Sequence, residues 1–254
     1  MIKNIKNHKV WSGDSLKFLK DLDDDSIDLI VTDPPYDIKN TKAGGNSRLS
    51  RSIQGMNDQI ENDGIVSGFD QQILKELVRV NKNINMYFFC NKEQIPMYLK
   101  YFVFDLGCSF DIIKWVKTNA TPTFNNKYLS DTEYCLYFRK KGYCNPNSYE
   151  DASTLYHAPI NQLDKKKYGH PTIKPIQLVT KLIKNSTRKG DTVLDPFVGS
   201  GTTAVCCENE GRNFIGGELL EKYHNMTVER LNEVINQNDL FKSEYIAPKQ
   251  EGLL

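Results

Sequence analysis

The chain has 254 residues, 39% of them apolar, and a formal charge of +1 from 33 basic and 32 acidic side chains. That length suits one large domain or two small ones, and the charge balance gives no support for capture of nucleic acid by overall charge, though a local basic face stays open. No apolar run approaches the roughly 20 residues of a membrane span, the six cysteines and four histidines show no metal-ligand spacing, and the expected setting is a reducing cytoplasm without a signal peptide.

In chain order, Val10-Trp11-Ser12 reads as a short strand ended by Gly13-Asp14. Asp14 or Ser15 then caps a helix with Leu16, Phe18 and Leu19 on its apolar side. After an acidic turn, Ile27 to Thr32 forms an apolar strand that runs into Asp33-Pro34-Pro35-Tyr36. Residues 37–68 carry Gly44-Gly45 with Lys39, Lys42, Arg48 and Arg51 and show little periodicity. So long a loop inside a domain is functional or disordered. An amphipathic helix is expected over 69–80, a buried strand over 84–89 and a second helix over 92–104, with Pro96 near its first turn. Two further strands, 110–116 and 134–138, read as an antiparallel pair, and 142–169 is polar and irregular around Lys165-Lys166-Lys167. Pro175 suits the first turn of a helix reaching Ile183. From Asp191 the rhythm is strand at Val193-Leu194, glycine loop, helix, strand at Phe214-Ile215, long helix. Alternating strand and helix implies a parallel sheet covered on both faces.

The downstream loop is Asp195-Pro196-Phe197-Val198-Gly199-Ser200-Gly201-Thr202-Thr203. A strand ending in an acid, then Gly-x-Gly, then a helix start is a nucleotide-cradling design: glycines let a ligand approach the backbone, and helix amides offer donors. No lysine follows Gly201, so it is not a Walker loop, and the third glycine of a dinucleotide fingerprint is missing. An amino acid–nucleoside ligand fits better than a pyrophosphate. Glu218, after Gly216-Gly217, ends the next strand where a carboxylate accepts from a ribose diol.

The upstream tetrapeptide offers a different chemistry. An exocyclic amine on a base is a poor nucleophile because its lone pair is delocalised into the ring. Acceptors that favour a tetrahedral nitrogen counter this, and the Asp33 carboxylate and Pro34 carbonyl supply two. Pro34 and Pro35 remove backbone donors and fix the loop. Tyr36 offers a flat face to a base taken out of its stack.

With both motifs in this order, the chain resembles the beta group of DNA amino-methyltransferases, a permuted class in which the catalytic motif precedes the cofactor motif. Further matches are Gly13-Asp14, the 87–91 segment, Trp115-Val116-Lys117-Thr118-Asn119, Glu133, His170-Pro171-Thr172-Ile173-Lys174-Pro175 and Tyr223. The resemblance covers most of residues 10–223. It implies a Rossmann-like, circularly permuted α/β fold with a mostly parallel seven-stranded sheet and helices on both faces. Residues 1–139 are then the catalytic half, 140–169 a small target-recognition insertion, 170–240 the cofactor half and 241–254 a tail. The implied cofactor is S-adenosylmethionine. Asp14 would reach its adenine side, and His170, Pro171, Thr172 and Lys174 its methionine end. The implied partner is double-stranded DNA, touched by Lys39, Lys42, Arg48 and Arg51 from the long loop and by Lys165, Lys166 and Lys167 from the insertion. Beta-group relatives often dimerise, so the resemblance allows a homodimer, though nothing in the sequence fixes an interface, and any restriction endonuclease would be separately encoded.

No Pro-Cys dipeptide occurs, which argues against methylation at cytosine C5. Attack is expected from the amino nitrogen directly on the sulfonium methyl. Within the family, Asp at the head of the tetrapeptide goes mainly with adenine, so adenine is the expected base, with the cytosine amine as alternative. A non-catalytic DNA-binding subunit on the same fold is the alternative of another class, and the intact Asp33, Tyr36, Asp195, Gly199 and Glu218 argue against it.

Overall fold

The structure, a computed structural model, describes residues 1–36, 68–121, 128–170 and 172–244, with single positions 54, 58 and 62. In chain order the elements are β1 (Ile2–Ile5), β2 (His8–Ser12), α1 (Ser15–Lys20), β3 (Leu29–Thr32), α2 (Gln72–Val80), β4 (Ile84–Cys90) and α3 (Ile95–Tyr98), which widens into a π-helical turn over Leu99–Asp105. There follow β5 (Ser109–Lys117), β6 (Thr132–Lys140), α4 (Tyr149–Ala152), β7 (Leu155–Ala158), α5 (Gln162–Tyr168), α6 (Ile176–Ser186), β8 (Thr192–Asp195), α7 (Thr202–Glu210), β9 (Asn213–Glu218) and α8 (Glu221–Glu244). Among the described residues no helix is long and apolar enough to cross a membrane.

The strands form one nine-stranded sheet in the order β1-β2-β9-β8-β3-β4-β6-β5-β7. From β2 to β4 every neighbour is parallel. Then β6 runs antiparallel to both β4 and β5, as the sequence led us to expect for the pair. The sheet is therefore mixed, and two edge strands stand beyond the expected seven. β1 pairs antiparallel with β2, and β7 pairs parallel with β5.

Side-chain alternation explains why the sheet is covered on both sides. Leu29 and Val31, Tyr87 and Phe89, Cys135 and Tyr137 face one core with Leu178 and Leu182 of α6, Ala204 and Cys207 of α7, and Leu231 of α8. Their strand neighbours Ile30, Met86, Phe88, Leu136 and Phe138 face a second core with Phe18 and Leu19 of α1, Leu74 and Leu77 of α2, and Phe102. A one-residue slip of β4 would exchange these two sets. Each large apolar side chain taken out of water contributes about 1.5–3 kcal/mol before entropy, so the register is strongly fixed.

Three local outcomes differ from the sequence reading. The helix expected over 92–104 begins as α3 and continues as the π-helical turn, ending before Gly107, which is left-handed at φ 69°. The segment read as irregular holds α4, β7 and α5; Ser148 and Asn161 cap the two helices, accepting from the Asp151 and Asp164 amides. Pro175 sits at the N-cap of α6, one position before the expected first turn.

Candidate active site

Strands β2, β9, β8 and β3 point the same way, and an acid stands at or just beyond each carboxyl end: Asp14, Glu218, Asp195 and Asp33. The chain leaves β8 into α7 on one face and follows β3 with α2 on the other. Such a switch point opens a crevice outside the strand ends. A cavity of about 480 Å³ lies there, lined by all four acids.

The glycine loop is held from several sides. Gly199 and Gly201 adopt left-handed conformations at φ 54° and 78°. A Cβ on Gly199 would stand 3.0 Å from His170 Nε2, and one on Gly201 2.9 Å from Thr227 Oγ1, so a side chain at either position would be strained in its backbone and crowded. Glu218 accepts from the Gly199 amide at 2.8 Å and from the Leu220 amide at 2.9 Å. The Leu219 amide acts on the same carboxylate, which lines the cavity. Ser15 at the start of α1 donates to the Pro196 carbonyl at 2.5 Å, and Arg230 donates to the Ser200 carbonyl at 2.8 Å. Asp14 itself caps α1 through the Lys17 amide at 3.0 Å while lining the cavity.

Asp195 joins the two motifs. Thr32, the last residue of β3, donates its hydroxyl to one Asp195 oxygen at 2.8 Å, and Thr203 donates to the other at 2.9 Å. The Phe197 amide adds a third donor at 3.1 Å. Burial nonetheless pushes this carboxyl up to about 7, against those three hydrogen bonds.

The residue after Thr32 is Asp33. One of its oxygens accepts from the Tyr36 hydroxyl at 2.9 Å, and the other accepts from the Lys174 ammonium. Gln94, beyond β4, donates to the Pro35 carbonyl at 3.3 Å. The Lys174 ammonium also lies 5.2 Å from the Phe89 ring centre and 5.8 Å from that of Tyr36. Its second carboxylate is Glu133 at 3.4 Å, and the other Glu133 oxygen takes Lys117 at 2.8 Å. Desolvation raises the Asp33 pKa; Lys174 opposes this and Glu133 adds to it. For Lys174, burial works against the ammonium, but Asp33 and Glu133 hold it above the ordinary lysine range.

The structure thus gathers Asp14, Asp33 to Tyr36, His170, Thr172, Lys174, Asp195 to Ser200, Thr202, Thr203 and Glu218 around one cavity. His170 is buried edge-on against Tyr223, ring centres 4.5 Å apart, and accepts from the Thr172 amide at 3.3 Å. The three lysines of α5 part company. Lys166 is exposed, Lys167 bonds Glu233 at 2.9 Å, and Lys165 is partly buried near Glu133, Lys117 and Lys174. Lys39, Lys42, Arg48, Arg51 and Pro171 lie outside the described residues.

Sequence reasoning overlooked Gln94, Thr32, Ser15 and Arg230. Thr32 ends an evident strand, yet its partner is 163 positions away. Arg230 is buried, lies over the Tyr168 ring at 4.6 Å and bonds the glycine loop 30 positions upstream, contacts that helical periodicity does not reveal.

The crevice thus joins the glycine loop to a carboxylate followed by two donor-free prolines. The chain belongs to the DNA methylase family, whose model matches residues 27–229. The Type II methyltransferase M2.DpnII of Streptococcus pneumoniae is 31% identical over 248 residues, spanning 86% of this chain and 87% of that protein. Among solved structures, the M1.HpyAVI–SAM complex is similar at 30% identity and a TM-score of 0.59, covering 88% of this chain and 100% of that one. The cytosine-N4-specific PvuII DNA methyltransferase shares the fold at 18% identity and a TM-score of 0.67, covering 92% and 93% of the two chains.

Proposed function

We propose that this chain transfers a methyl group from S-adenosylmethionine to the exocyclic amino group of adenine within a short target in double-stranded DNA. One observation carries the reading: Asp33 and the glycine loop open on the same cavity and are joined at their base by the Thr32–Asp195 hydrogen bond. The residues fit the cofactor. Gly199, Ser200, Thr202 and Thr203 of the glycine loop line the cavity, Gly201 turning instead against Thr227, and Glu218 and Asp14 line it as acceptors. His170, packed against Gly199, and Thr172 line it as well. Lys174 is engaged by Asp33 and Glu133, so we assign it to the catalytic carboxylate rather than to the methionine end.

Bound S-adenosylmethionine supplies an electrophilic methyl group. The chain's part is to make a weak nucleophile attack. Asp33 and the Pro34 carbonyl accept from the target amine and draw its nitrogen toward tetrahedral geometry. Gln94 occupies the Pro35 carbonyl, which leaves the Pro34 carbonyl as the acceptor next to Asp33. Tyr36 and Phe89 bound a flat slot for the extruded base. The surplus proton leaves the amine toward Asp33 once the new bond has formed. Catalysis rests on position and preorganised charge, without a covalent enzyme intermediate. Lys166 on exposed α5 is assigned to backbone phosphate. The Type II designation of the pneumococcal relative is in keeping with a separately encoded endonuclease as partner.

The test is long-read modification mapping of genomic DNA from a methylation-free host expressing this chain or its Asp33→Ala variant. The expected outcome is methyladenine confined to one short motif. In the variant the rate should fall by about 10²–10³-fold with cofactor affinity retained. Methylcytosine at the amino group would keep the mechanism and reverse the base. Unmodified DNA from soluble, cofactor-binding protein would reject the DNA substrate.

A further inference from the structure

Beyond the two motif loops lies a line of alternating charges: Asp33, Lys174, Glu133 and Lys117. We propose that Glu133 is a positioning residue for the methyl transfer, acting through Lys174 to keep Asp33 an effective acceptor. This rests on the methyl-transfer reading given above.

The geometry carries the argument. The Lys174 side chain is only 7% exposed, and Asp33 and Glu133 both line the cavity. An ammonium paired with Asp33 alone would draw electron density from the carboxylate that has to accept from the amine. Shared between two carboxylates, it polarises each less and leaves more of the Asp33 charge for the nitrogen that becomes cationic. Glu133 is held to this task from behind. Lys117 takes one of its oxygens at 2.8 Å, leaving the other 3.4 Å from Lys174 without a well-formed hydrogen bond. Lys117 lies on β5, whose register sets Trp115 opposite Glu133 on β6 and Lys117 beside Ala158 on β7. The line of charge therefore ends on the strands that carry the 140–169 insertion. Lys165 of α5 stands near the same glutamate. The other titratable groups facing Asp33 are Tyr36 on its own loop, Asp195 on β8, Cys90 on β4, Cys135 on β6 and Tyr98 on α3. None of them touches Lys174 as a second anion.

The experiment compares wild type, Glu133→Gln and Glu133→Asp in single-turnover methylation of the mapped DNA target across pH. For Glu133→Gln we expect kcat to fall up to roughly a hundredfold, with cofactor and DNA KM within about threefold of wild type. Its acid limb should move to lower pH, because Asp33 loses a like-charged neighbour. Glu133→Asp keeps the charge and should bring the acid limb back. Lys117→Met, which leaves Glu133 in place but unanchored, should show an intermediate kcat. Wild-type turnover in Glu133→Gln with an unmoved acid limb overturns the proposal. So does an equal loss in the Gln and Asp variants with no shift of the limb, which marks a purely structural role. A wild-type chain that methylates no DNA overturns the methyl-transfer reading itself.

Discussion

Thr32 shows how much of this site hangs on a single hydroxyl. It ends β3, precedes Asp33-Pro34-Pro35-Tyr36 and donates to Asp195, the acid of the glycine loop that burial pushes up to about 7. Thr32→Val keeps the shape of the strand and removes that donor, so the carboxylate loses one of its three hydrogen bonds. The cost should be about 1–3 kcal/mol, read as a lowered thermal midpoint together with weaker cofactor binding by calorimetry. The loss should also depend on pH. A carboxyl with a raised folded pKa takes up a proton on folding, so its contribution declines as pH rises from its unfolded value of 3.8 through about 7. The valine variant pushes the folded value higher and extends that decline. Its deficit should therefore be larger at pH 8 than at pH 5, and an equal deficit at both would contradict the role given to this bond. The motifs singled out Asp33 and Asp195, and the structure brings both to one cavity. The bond that unites them was not legible in the sequence, because a side-chain contact between adjacent strands leaves no trace in local spacing.

The elements that build the site were the readable ones. β3, β4, β8 and β9 are short apolar runs bounded by turn residues, and their two-sided burial follows from that composition. The elements that went unread are half-exposed. β1 places Ile2 at 48% exposure on an edge, and β7 alternates exposed and partly buried residues inside a polar segment. The π-helical turn escaped because apolar spacing does not distinguish a widened turn from a regular one. Tight packing inside β9 gives a test at this scale. A Cβ on Gly216 would fall 2.4 Å from both Val198 Cγ2 and Phe214 Cζ. Gly216→Ala should cost about 1–3 kcal/mol through overpacking. Val198→Ala makes room on one side only. Denaturant unfolding of the double variant should recover more than about 0.5 kcal/mol relative to the sum of the single losses. Strict additivity would show that the loop and β9 do not press on each other there.

At the scale of the molecule, distant parts of the chain converge on one crevice, with β3 and β8 side by side although 163 positions separate Thr32 from Asp195. Cofactor bound there should stabilise the whole fold. At a hundredfold excess over Kd the gain is about 2.7 kcal/mol, or roughly 5–10 °C in midpoint for a chain of this size, within a single calorimetric transition. Two transitions, only one of them moved by S-adenosylmethionine, would mean that the halves fold separately. The insertion stands apart from this arrangement: its strand β7 meets the sheet through β5 alone, at the rim farthest from β1. Its other ties run to β4 and α6, where Asn85 donates to the Tyr143 carbonyl, Asn185 to the Asp151 carbonyl and Lys181 to the Glu150 and Ser153 carbonyls. Through Asp164 and Tyr168 the same segment also grips Arg230, which in turn holds the Ser200 carbonyl, so a change made at the rim of the sheet is felt at the glycine loop.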